Sequence, residues 1–170
     1  MSFWNLFRPA DGPNESRSQL QLKVASLLPN ENEETHILVT CLAGLFSRVA
    51  YADMNIEQTE VTHIKKALSD WTELKEEQIE AVVKLSIGMV KELTSVEDHK
   101  YTDPLNDMLT NEQRYKVLEG LFALAASDGN AEQLESEEIR IISKGLLLEH
   151  KHFISARATV LNSLGALKKD

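Results

Sequence analysis

Apolar residues recur along this chain at helical spacing, and no stretch sustains the two-residue alternation of a half-buried strand. The pattern predicts a first helix over about Ser16–Leu28, with Leu20, Leu22, Val24 and Leu27 apolar; Pro29 and the NENEE run end it. A second, about Glu34–Ala52, is apolar over most of its circumference and is expected at the centre of the fold. Its broad face holds Ile37, Leu38, Cys41, Leu42, Leu45, Phe46 and Val49. A third, about Glu57–Trp71, carries Val61, Ile64 and Leu68, and a fourth, about Lys75–Leu93, carries Ile79, Val82, Val83, Ser86, Met89, Val90 and Leu93. Tyr101, Leu105 and Met108 mark a short packed helix beyond a polar stretch. Thr110-Asn111-Glu112-Gln113 is a capping box, and it opens a helix over about Asn111–Ser127. Two more follow over about Glu132–Leu147 and His150–Leu167, the last carrying Phe153, Ile154, Ala158, Leu161 and Leu164. The expectation is an all-α, compact globule of about seven or eight short helices joined by short turns.

A length of 170 residues suits one sizeable core. Residues 1–15 read as an N-terminal apolar segment and linker, and residues 16–170 as a single helical domain. The net charge of -9 repels phosphate backbones, so nucleic acid is not an expected partner, whereas cations and basic proteins are. The one cysteine, Cys41, lies in an apolar run and reads as a small core hydrophobe, which fits a reducing compartment and a cytoplasmic location. MSFWNLF is too short for a signal-peptide core or a membrane span. Phe3, Trp4 and Phe7 could dock on the domain, make peripheral contact with a membrane, or meet a partner. Docking or a loose chain end is the plainer reading.

The pattern also repeats. DMNIEQTE, residues Asp53 to Glu60, and DGNAEQLE, residues Asp128 to Glu135, share Asp, Asn, Glu, Gln and Glu at the same offsets. At that offset Phe46 pairs with Leu121, Val49 with Leu124, Ala50 with Ala125 and Ile64 with Ile139. Each copy is an apolar helix, an acidic turn and a second helix. The fold is thus expected to hold two pseudo-repeated helical hairpins with acidic turns.

Two chemistries compete for the octet. In a calcium-binding EF-hand loop the Asp, Gly and Glu of Asp128, Gly129 and Glu135 would stand at the fifth, sixth and twelfth positions. The first and third positions would then be Leu124 and Ala126, or Val49 and Tyr51 in the first copy, so neither is an ordinary EF-hand. Helix capping explains much of the shared lettering. A helix beginning near Glu57 or Glu132 puts Glu60 or Glu135 at its third position, and Asn55 and Asn130 suit the turn. If Asn55 is the cap instead, Gln58 takes the third position. Capping does not explain Asp53 and Asp128, which follow a helix whose C-terminal dipole disfavours an acid. If the hairpins pack symmetrically, Asp53, Glu60, Asp128 and Glu135 would converge and require a cation or protons. An all-oxygen set favours Ca²⁺, Mg²⁺ or Mn²⁺, with Asn55, Glu57, Asn130 and Glu132 as secondary candidates. Glu60-Val61-Thr62-His63 has the Glu-x-x-His spacing of di-iron bundles, but the second copy has no histidine there. No phosphate loop, nucleophile elbow or Cys-pair spacing occurs, so no catalytic residue is assigned and no enzyme is expected.

The stretch LTNEQRYKVLEGLFALAASDGNAEQLESEEIRIISKGLLLEHKHFISAR resembles the TerB-like family, named for tellurite-resistance protein TerB. Glu112-Gln113-Arg114, Ser127-Asp128-Gly129, Glu135, Leu146-Leu147 and Phe153 carry the likeness. Ala52-Asp53 and Glu60 match in the first copy, where Met54 replaces the usual Gly. The resemblance spans roughly Leu20 to Leu164. It implies two related helical halves, a divalent-cation site at the acidic turns, and an association with tellurite and stress resistance. The expected function is a cation-binding, protein-interaction module. The alternatives are a purely structural interaction domain without metal and, last, a carboxylate-bridged metal enzyme. Homo-oligomerisation is compatible with each.

Overall fold

The computed structural model describes residues 15–94, 99–127 and 133–168, and among these every regular element is a helix. They are α1 (Glu15–Leu27), α2 (Glu33–Ala50), α3 (Gln58–Trp71), α4 (Glu76–Gly88), α5 (Val90–Leu93), α6 (His99–Met108), α7 (Asn111–Ala125), α8 (Gln133–Gly145) and α9 (His150–Lys168).

Helix α2 is the axis of the molecule. Every residue from Val39 to Ala50 is buried, as its apolar circumference predicts, and α1, α3, α4, α5, α6, α7 and α8 all pack against it. Such a helix must satisfy its polar side chains internally. Thr40 donates to the His36 carbonyl at 2.7 Å, and Ser47 Oγ donates to Ser86 Oγ at 3.1 Å. Arg48 reaches Glu138 on α8 at 3.1 Å and lies over the Tyr101 ring, 5.7 Å from its centroid. Cys41 is buried, in keeping with a core role.

The two hairpins exchange partners. α3 packs on α2 of its own hairpin and on α7 of the other, while α8 packs on α7 and on α2. All four residue pairs aligned by the repeat are buried: Phe46 and Leu121, Val49 and Leu124, Ala50 and Ala125, Ile64 and Ile139. α6 fills the gap between α2 and α8, α4 lies along α1, α2 and α3, and α9 closes over α7 and α8.

One expectation needs correction, and in two helices the structure shows which of the apolar residues are covered. The fourth helix is not continuous: Met89 takes φ -103°, ψ 4°, and separates α4 from α5. Gly88, a weak helix former, precedes that break. In α1 the inward stripe is Leu20, Val24 and Leu28, whereas Leu22 and Leu27 face outward. In α9 Phe153 and Ala156 are buried, while Ile154, Ala158 and Leu161 are exposed. In both helices one i, i+3 or i, i+4 row meets a neighbour, and apolar residues off that row stay in water.

Candidate metal centre at the acidic turns

The first acidic turn leaves α2 through Tyr51, whose amide still donates to the Ser47 carbonyl at 3.0 Å. Ala52 N–H then bonds to the Val49 carbonyl and Met54 N–H to the Tyr51 carbonyl, at 3.2 and 2.8 Å. Met54 takes φ 65°, the left-handed region where glycine is the usual residue. The second copy has Gly129 at this place. Reversal of the chain therefore does demand a glycine-like backbone here, and a methionine supplies it.

The carboxylates of this turn have local work. Asp53 Oδ1 accepts the Asn55 amide at 2.9 Å, a side-chain-to-backbone turn that holds the chain just beyond Met54. Asn55 Nδ2 donates to Glu57 Oε1 at 2.6 Å. Glu57 is the N-cap of α3, and its amide donates to Glu60 Oε2 at 2.8 Å. Glu60 thus stands at the third helical position and reaches back, as the capping alternative with Glu57 requires; Asn55 is not the cap. Glu60 is 3 % exposed while Asp53, Asn55 and Glu57 lie in solvent. The full capping box at Thr110 also forms, with Thr110 N–H to Gln113 Oε1 at 2.9 Å and Gln113 N–H to Thr110 Oγ1 at 3.2 Å.

Of the second turn, Asp128, Asn130 and Glu132 lie outside the described residues, and of Glu135 only the helical backbone of α8 is described. Its approach is visible: Ser127 Oγ lies 3.5 Å from Thr59 Oγ1, so the residue before Asp128 meets the residue before Glu60. Among the described residues no group of three or more His, Cys, Asp or Glu side chains is placed to hold a metal ion. The first corner therefore holds two of the sequence-derived candidates, Asp53 in the turn and Glu60 in the first turn of α3, each already accepting an amide.

His63 follows Glu60 by one helical turn and is half-buried. Burial, and then the nearby Lys66 charge, lower its pKa below the ordinary histidine value. The neutral imidazole is accordingly favoured, although His63 joins no ligand group among the described residues.

Two features escaped sequence reasoning. Arg114 on α7 donates to the Leu146 carbonyl at 2.8 Å, and Asn106 Nδ2 to the Gly145 carbonyl at 2.8 Å; together they cap the end of α8. Leu147 takes φ 57°, and the Leu148 amide reaches the Ser143 carbonyl at 3.1 Å, a Schellman ending with leucine in place of glycine.

The described residues define an all-helical module in which α2–α3 and α7–α8 are related pairs packed through one another, the first turning through an acidic loop. The family model of tellurite resistance protein TerB matches residues 40–158, from the buried stretch of α2 well into α9, and the chain belongs to that family. No curated protein and no solved structure gives a match. None of the described helices is long and apolar enough to cross a membrane.

Proposed function

We propose that this TerB-family chain acts in tellurite or related stress resistance as a cytoplasmic binding module. It would hold a divalent cation (Ca²⁺, Mg²⁺ or Mn²⁺) where its two acidic turns meet and pass that state on through protein contact, with no reaction of its own. The observation that carries this reading is the approach of Ser127 to Thr59, because Asp128 and Glu60 are their immediate neighbours in the chain. The amide bond to Glu60 Oε2 is compatible with ligation, since ligating carboxylates are ordinarily oriented by a hydrogen bond. Hard oxygen donors suit these ions, and the acidic charge of the chain favours their approach.

A second reading has its own observation. Asp53 and Glu60 each accept an amide within the turn, so the first corner is held together by hydrogen bonds that involve no ion. On that reading the protein is a structural interaction domain.

Titration calorimetry with Ca²⁺, Mg²⁺ and Mn²⁺ separates them. The cation reading expects binding by the wild type, weakened at least ~10-fold in Asp128→Ala, and a melting temperature that falls when chelator is added. Absence of binding heat for all three ions, with melting indifferent to chelator, leaves the structural domain.

A further inference from the structure

Between α1 and α4 runs an open groove of about 690 Å³, lined by Lys23, Ser26 and Leu27 on one side and by Ala81, Lys84, Leu85, Gly88 and Met89 on the other. The α4 residues follow the i, i+3, i+4, i+7, i+8 spacing of one helix face, and the α1 residues follow i, i+3, i+4. The lining is almost wholly apolar carbon and contains no acidic residue, although the chain as a whole carries a charge of -9. Leu27 is 40 % exposed in it, and a Cβ added at Gly88 would meet no atom within 4 Å. This is an apolar site with two exposed lysines, Lys23 and Lys84, among its lining residues.

We infer that the occupant is the chain's own N-terminal segment, Phe3-Trp4-Asn5-Leu6-Phe7, folded back along α1. Its reach is sufficient. Phe7 precedes Glu15 by eight residues, which span up to about 26–29 Å when extended. Lys23 and Leu27 lie only about 12 and 18 Å along the helix from Glu15. Pro9, Gly12 and Pro13 lie between, and they favour a change of direction over continued helix. The chemistry also matches: aromatic side chains bury large areas, and their faces attract the ammonium groups of Lys23 and Lys84. Tethering gives the segment an effective concentration of roughly millimolar at the groove, ahead of a second copy or a membrane competing from solution. The inference does not rest on the cation reading.

The test uses the full-length chain with Trp71→Phe, which leaves Trp4 as its sole tryptophan. Docking predicts apolar-type, short-wavelength emission from Trp4, unchanged on dilution and without lipid. Adding Gly88→Leu, which fills the groove from a position with open space, shifts that emission to longer wavelength while the helical circular dichroism persists. As a second readout, removing residues 1–9 moves the nuclear magnetic resonances of Ala81, Leu85 and Met89 in wild type. Solvent-type Trp4 emission in the full chain overturns the inference, as does emission insensitive to Gly88→Leu. Short-wavelength emission that disappears on dilution assigns the groove to a second copy. Emission that shifts only with phosphatidylcholine or phosphatidylglycerol vesicles assigns the segment to a membrane surface. Either of these also overturns it.

Discussion

At Met54 a left-handed backbone angle carries a side chain that is 81 % exposed, so the residue bears conformational strain with little packing in return. A left-handed L-residue costs about 1–2 kcal/mol, and glycine's greater freedom in the unfolded chain offsets about 0.5–1 kcal/mol of the relief. Met54→Gly is therefore expected to stabilise by about 0.5–1 kcal/mol, raising the melting temperature by roughly 2 °C, measurable by circular dichroism. The same residue explains what the sequence left unsettled about Asp53. The position of Glu60 was legible because a capping box has a fixed spacing. The Asx bond from Asp53 was not, because it depends on a reversed backbone at a residue where no glycine announces it. At Leu147 too, just beyond α8, a left-handed residue stands where glycine is usual.

At the level of elements, helix existence and order were legible in the apolar periodicity, while the choice of buried face often was not. Leu22 and Leu27 show why: which row of α1 is covered depends on where α2 and α4 lie, and that is tertiary information. Gly44 is the clearest case. It stands in the middle of α2, where glycine lowers helix propensity, yet a Cβ there would come within 2.6 Å of the Tyr101 ring. Tyr101 is fully buried and brings α6 against α2. A close approach of helix to ring has been kept at the expense of local helicity. Gly44→Ala is expected to destabilise by about 1–3 kcal/mol despite the better helix former, because a fully buried ring must shift to admit the methyl. Urea denaturation would show it, and an unchanged or higher midpoint would refute the steric account. A Cβ on Gly145 would come within 2.8 Å of Thr102 Oγ1 on α6, so the second hairpin uses the same device toward the same helix.

Across the whole molecule the repeat was visible as aligned letters, and the structure adds that the hairpins are packed through one another. Arg48 and Glu138 hold that arrangement as a charge-assisted contact between α2 and α8, with Arg48 almost fully buried. Arg48→Ala is expected to cost about 1.5–3 kcal/mol in denaturant unfolding, since it removes a hydrogen bond to a charged group and leaves Glu138 without that partner. Both hairpins should lose structure in one transition, because neither has a core of its own. A variant that unfolded in two steps would contradict this. Residues 40–158 place the chain in its family, and the described helices give its all-α class. The capacity for a cation depends on the distance between Asp128 and Glu60, which no pattern of letters encodes.

The exchange of partners also has a consequence in time. Arg48 and Glu138 are 90 residues apart in the chain, and at the ribosome's pace of ~5–20 residues per second that separation takes roughly 5–18 s to make. Throughout that interval α2, apolar on nearly every side, has been synthesised without a complete α8, and for most of it without α7, to cover it. The nascent first half is thus the stage most open to wrong association, and its rescue is the arrival of its own second half.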